Sequence, residues 1–131
     1  MKPEPEMTYY EKELTEKIIG AAIEVHRTLG PGLLESVYQT CLAYELSERG
    51  IPYEKEKDIP AVYKDHPIDC GFRLDFLVAD KVVVELKALD ALQPVHEAQL
   101  ITYLKLTGCK VGLLINFNVT LLKDGIRRRV L

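Results

Sequence analysis

Two carboxylates, Asp75 and Glu85, stand either side of a predicted hairpin turn in the stretch Gly71 to Ala88, GFRLDFLVADKVVVELKA. Strand alternation puts Phe72, Leu74, Phe76 and Val78 on one face of the first strand and Arg73, Asp75 and Leu77 on the other. In the returning strand Val82, Val84, Leu86 and Ala88 share a face, leaving Val83, Glu85 and Lys87 opposite. Asp75 and Glu85 are symmetric about Asp80, so a tight antiparallel turn brings them face to face or one step out of register. Two like charges then crowd beside one arginine and one lysine. Solvated charges on an outer sheet face are the plain reading of such a hairpin. The unbroken run Val82-Val83-Val84 instead suits a strand buried on both faces. Burying two carboxylates together is costly unless a cation offsets them. Carboxylate oxygens beside a backbone carbonyl, here that of Leu86, are hard ligands suited to Mg2+ or Mn2+, which retain waters able to act as nucleophile.

The rest of the chain must position this pair. Leu14, Ile18, Ala21, Ala22, Val25 and Leu29 recur at helical spacing and predict a helix from Leu14 to Leu29, capped by Thr8 or Thr15. His26 lies at the edge of that stripe, where it is either a hydrogen-bonded boundary residue or a site residue. Gly30-Pro31-Gly32 ends this helix and opens a second, from about Leu33 to Arg49. Within it Glu35 shares a face with Tyr38 and Leu42, so the carboxylate points toward the apolar side. It needs a partner there: an ion pair with Arg73 or Lys87, or a metal or metal-bound water. Tyr53 to Tyr63, with Pro60 and a dense charge run, suits an edge strand, followed by a turn at Lys64 to Pro67 in which His66 is surface. Beyond Lys87, a helix from about Val95 to Thr107 is apolar nearly all round, with His96, Gln99, Tyr103 and Leu106 on one stripe. Lys110 to Phe117 reads as a buried strand reached by a crossover. Lys123-Asp124-Gly125 is a turn signal before an edge strand, IRRRVL, whose Arg127, Arg128 and Arg129 form either an exposed edge or a phosphate-binding strip.

Asp75 followed by Glu85-Leu86-Lys87 resembles the D…(D/E)xK signature of the PD-(D/E)XK nuclease superfamily, with Leu74 at the variable position before the aspartate. Gly32, Glu35 and Tyr38 in GLLESVY match the G-x-x-E-x-x-Y motif of the small bacterial and archaeal GxxExxY proteins. The preceding IIGAAIEVHRTLGPG is similar to that family's lead helix and turn, and the resemblance runs from about Leu14 to the C-terminus. Gln99 and Tyr103 resemble the Q-x-x-x-Y element of the recombination-exonuclease branch. The resemblance implies an α/β fold: an αβββαβ nuclease-like core with a mixed central sheet flanked by helices, an extra N-terminal helix and a C-terminal hairpin. It implies Asp75, Glu85, Lys87, Glu35 and Gln99 as catalytic residues, with Mg2+ or Mn2+ on Asp75, Glu85, the Leu86 carbonyl and Glu35. On the substrate side are Arg73, Tyr103, Tyr38 and His26. The implied reaction is hydrolysis of phosphodiester bonds in nucleic acid, DNA ahead of RNA, by metal-activated water. The alternatives are an inactive nuclease-fold module that binds nucleic acid or protein, or a subunit completed by a homodimer or other protein partner.

At 131 residues the chain holds one core, expected over 14–131 after a flexible lead at 1–13. A composition of 47% hydrophobic and 28% charged residues is that of a globular protein. No run is long enough to cross a bilayer, and the charged N-terminus lacks a secretory core, so the expected location is the cytoplasm. Cys41, Cys70 and Cys109 have neither metal-site nor disulfide spacing. A net charge of -3 argues against binding nucleic acid by bulk electrostatics. A local basic strip or a metal must then supply the attraction.

Overall fold

Ile18, Ala21, Ala22 and Val25 form the buried face of α1 (Lys12–Leu29), the first element of a computed structural model that describes residues 10–69 and 71–131. The helix starts two residues before the expected position, after Glu11, which makes no side-chain cap. Thr15 is inside the helix, its hydroxyl donating to the Lys12 carbonyl at 3.0 Å, and the other expected cap, Thr8, lies outside the described residues. Gly30 and Gly32, with φ of 70° and 94°, turn the chain through the left-handed region into α2 (Glu35–Glu48). α1 and α2 pack on each other and bury Tyr38, Leu42 and Leu46.

The main sheet has five strands. They are β1 (Tyr53–Asp58), β4 (Arg73–Val78), β5 (Val82–Lys87), β6 (Val111–Asn116) and β7 (Ile126–Val130), adjacent in that order. β5 and β6 are parallel, joined by α3 (Pro94–Thr107); the other pairings are antiparallel. The C-terminal hairpin is β6 with β7, and Lys123-Asp124-Gly125 belongs to a 3-10 turn, Leu122–Gly125, within its wide connection. A two-stranded ribbon of β2 (Ala61–Tyr63) and β3 (His66–Ile68) replaces the expected continuation of the edge strand. Lys64 and Asp65, at φ of 48° and 67°, form the primed turn that makes this pairing fit the twist of the strands. The protein is thus a mixed α/β fold with a five-stranded mixed sheet flanked by helices, and among the described residues no helix is long and apolar enough to cross a membrane.

Each face of the sheet has its own core. Phe76, Val78, Val84, Leu86, Leu113, Ile115 and Phe117 meet α1 and α2. Leu74, Leu77, Val83 and Leu114 meet Leu100, Tyr103 and Leu104 of α3. Val82 to Leu86 are all buried, as the valine run predicts. α3 is not apolar all round in its setting: Leu100, Tyr103 and Leu104 are its buried residues, and Val95 is 65% exposed. The alternation in β4 also breaks, since Leu74 faces α3 while Phe76 and Val78 face the other helices.

α3 lies close on β6 because Gly112 has no side chain: a Cβ there would sit 2.7 Å from Leu100 Cδ1 and 3.2 Å from Leu104 Cδ2. Gly112→Ala is therefore expected to lower unfolding stability by about 1–3 kcal/mol through overpacking. Gly20, within α1 and exposed, has nothing within 4 Å of the same position. Gly20→Ala should raise stability by about 0.5–1 kcal/mol. Chemical denaturation of both variants checks the opposite signs.

Candidate active site at the opened hairpin

The β4–β5 ladder runs Val78↔Val82, Leu77↔Val83, Phe76↔Val84 and stops, although Asp75 and Glu85 are next in line. Their side chains take over the main-chain bonding. The Asp75 amide donates to Glu85 Oε2 at 2.8 Å, and the Leu86 amide donates to Asp75 Oδ2 at 2.7 Å. Two carboxylates thus wedge the strands apart while satisfying amides that the ladder has abandoned. On the other edge of β4, pairing with β1 passes from Lys55↔Phe76 to Lys57↔Leu74, with Glu56 at a φ of 54°. Both ladders are interrupted at Asp75, which is where the alternation of β4 changes face.

The opening is electrostatically loaded. Glu85 is 7% exposed, and burial followed by the charge of Asp75 pushes its carboxyl up to about 8, against the opposing pull of the Asp75 amide and Lys87. Burial likewise raises Asp75, partly offset by the Leu86 amide and Lys87. Glu35, the first residue of α2, shares a cleft of about 300 Å³ with Asp75, Ser36, Gln39 and Glu56. Its carboxyl is raised by desolvation and then by Asp75, and lowered by Lys87. Lys87 is half-buried and acts on all three carboxyls, yet among the described residues it forms no ion pair or hydrogen bond through its ammonium. From α3, the Tyr103 phenol is raised by burial and by Glu85 and Asp75, and lowered by the neighbouring Gln99 side chain.

The fold therefore gathers Asp75, Glu85, Lys87 and Glu35, with Leu86 between them and Gln99 and Tyr103 on the α3 side. Other expected site residues are elsewhere. Tyr38 is fully buried, stacked on Phe117 with ring centroids 4.5 Å apart; its hydroxyl donates to the Gly30 carbonyl at 2.6 Å and accepts the Leu33 amide at 3.2 Å. It ties the turn before α2 and has no surface for substrate. His26 is also buried, with Nε2 bonded to the Val119 carbonyl at 2.7 Å and its ring near Phe117. Tyr103, at 6% exposure, is a wall of the site and not an open contact surface. Arg73 is exposed and engages Asp58 at 2.9 Å, outside the residues that line the cleft; its charge does not act on the three carboxyls. The C-terminal arginines are engaged within the chain: Arg127 donates to the Asp124 and Ile126 carbonyls, Arg128 to the Tyr10 carbonyl, and Arg129 pairs with Glu97. Glu56 lines the cleft but was hidden in the charge run of β1, whose spacing singles out none of its members.

A divalent cation fits what remains free. Asp75 Oδ1 and Glu85 Oε1 make no hydrogen bond among the described residues. The N–H and C=O of a strand residue leave on the same edge, so the Leu86 carbonyl shares the side from which its amide reaches Asp75. Among the described residues no group of three or more His, Cys, Asp or Glu side chains is placed to hold a metal ion. Mg2+ is commonly held by one or two carboxylates, with waters and substrate phosphate completing its shell. This donor set is of that open kind.

Glu85 makes stability depend on pH. Its carboxyl rises from 4.5 to about 8 on folding, so the folded chain holds a proton that the unfolded chain releases between those values. The contribution is complete below pH 4.5 and is lost as pH rises through about 8. Thermal melts of metal-free protein should show Tm falling by several degrees across that window, while Glu85→Gln flattens the profile.

A profile of the PD-(D/E)XK nuclease superfamily matches residues 12–129. No curated protein and no solved structure gives a significant match. The matched span begins with α1, takes in the opened hairpin with Asp75, Glu85 and Lys87, and ends within β7: the chain belongs to the PD-(D/E)XK nuclease superfamily.

Proposed function

We propose that the protein is a metal-dependent nuclease that hydrolyses phosphodiester bonds of DNA. The observation that carries this reading is the interruption of the β4–β5 ladder at Asp75 and Glu85, which among the described residues leaves each carboxylate one oxygen without a hydrogen bond, beside a lysine whose ammonium makes no ion pair or hydrogen bond. Asp75, Glu85 and the Leu86 carbonyl would hold Mg2+ or Mn2+, and Glu35 would complete the site by orienting a water. When bound there, the metal would supply an acidified water and positive charge at the phosphate. Lys87 stabilises the negative charge that develops on the phosphate oxygens or, when present as the neutral amine, accepts the proton of the attacking water. Gln99, exposed beside Tyr103, positions that water or a phosphate oxygen.

Membership of the GxxExxY group gains support from the separate job each motif residue has here. Gly32 adopts the left-handed turn, Glu35 enters the cleft, and Tyr38 locks the turn through Gly30. A second reading, in which a protein partner or second copy completes substrate binding, is favoured by one observation. Every arginine is committed within the fold, to a carboxylate or to main-chain carbonyls.

Calorimetric titration of Mg2+ and Mn2+ into the wild type and an Asp75→Ala/Glu85→Ala variant, with circular dichroism to confirm folding, tests the site. Wild-type binding that the double variant loses is the expected result. Lys87→Ala should keep metal binding and lower cleavage of DNA by roughly 100-fold or more. Undiminished cleavage by both Asp75→Ala and Lys87→Ala removes the assignment. Metal binding without cleavage of DNA or RNA supports the partner-dependent reading.

A further inference from the structure

The end of β5 that carries Glu85 and Lys87 has a strand ladder on one edge only, because β4 pairing ends at Val84 and side-chain bonds of Asp75 and Glu85 replace it. From Glu85 onward its strand partner is β6, in the register Glu85↔Leu114, Leu86↔Ile115, Lys87↔Asn116. Past Lys87 that ladder ends too, and side chains continue it. Asn116 Oδ1 accepts the Leu89 amide at 2.9 Å, and Asn116 Nδ2 donates to the Leu89 carbonyl at 2.9 Å. Donor and acceptor of one carboxamide thus reproduce a strand bridge to a single residue two positions beyond Lys87. Asn116 is 2% exposed, and its Oδ1 also accepts the Asn118 amide at 3.3 Å. Flanking bonds reinforce the arrangement: the Phe117 amide donates to the Lys87 carbonyl at 2.9 Å, and Asn118 Nδ2 donates to Asp90 Oδ1 at 3.2 Å.

Lys87 depends on this support more than its neighbours do. Glu85 and Asp75 are each fixed by a hydrogen bond to the opposite strand, whereas among the described residues the Lys87 ammonium has no bond that fixes it. Beyond packing and the pull of the carboxyls, its placement is set by the course of its backbone. We propose that Asn116 is a positioning residue for Lys87: by clamping Leu89 it sets the path of the chain leaving β5 and holds the ammonium toward Glu35, Asp75 and Glu85 without touching substrate. The inference rests on the catalytic role given to Lys87 above.

A double-mutant cycle on DNA cleavage tests it. Asn116→Ala should lower kcat roughly 10- to 100-fold with KM changed by less than about twofold, the effect of a displaced catalytic group. Asn116→Ala combined with Lys87→Ala should be no slower than Lys87→Ala alone, because a residue that acts through another adds nothing once that other is gone. Effects that multiply overturn the proposal. If Asn116→Ala fails to fold, Asn116→Asp, which keeps the acceptor and loses the donor, carries the same cycle. A second measurement needs no cleavage: NMR relaxation of the Lys87 ammonium should show increased mobility in the variant, with dispersed backbone spectra confirming the fold. Unchanged mobility overturns the clamp. A wild type that binds no metal and cuts no nucleic acid, but whose Lys87 is mobilised by the variant, overturns the nuclease reading and leaves the clamp standing.

Discussion

The exchange between Asp75 and Glu85, each strand's amide bonded to a carboxylate, is the constraint on which the centre of the molecule depends. A sheet that opens leaves main-chain donors without acceptors, and buried donors of that kind are rare because they are costly. Here the acceptors are the charged groups themselves. The same two residues therefore keep the strands apart, satisfy the exposed amides and concentrate negative charge at the opening. Cost and use are inseparable: the burial that lets the carboxylates reach the amides also raises their protonation equilibria.

Support for the opening comes from the α1–α2 face. Phe117 follows β6 directly and is stacked by Tyr38; His26 bonds to the Val119 carbonyl two residues on. Gly125 approaches the same stretch so closely that a Cβ would lie 2.2 Å from the Asn116 carbonyl oxygen. A segment gripped by two aromatic rings and a close backbone approach is well suited to hold its neighbour β5. Tyr38 and His26 thus reach the site through the main chain they brace.

Much of this is legible from residue order because the decisive facts are periodic or symmetric. Asp75 and Glu85 meet because they are equidistant from Asp80, and the valine run marks a strand buried on both faces. The crossover from β5 to β6 follows from a helix lying between two apolar strands. Periodicity records which side of an element is apolar, and says nothing of where a ladder stops. The change of face at Asp75 and the exposure of Glu56 to the cleft are consequences of that stop. The turn at Lys64 and Asp65 is legible, whereas the short strand His66–Ile68 behind it is not, because Pro67 within it argues against a strand. Tyr38 and His26 illustrate a different limit. A polar group on an apolar stripe serves substrate or backbone according to what folds against it, and those partners, Gly30 and Val119, are a turn and a distant loop.

The ribbon of β2 and β3 is inserted between two residues that remain neighbours without it. Asp58 and Arg73 pair across the sheet and through their side chains, and the Ile59 amide bonds to the Phe72 carbonyl just beyond. Such pinned ends separate the length and composition of an insertion from the geometry beneath it. Doubling a flexible loop costs only about 0.6 kcal/mol in closure entropy. The ribbon can therefore diversify by insertion, deletion or wholesale replacement while Asp75, two residues inside the seam, keeps its place.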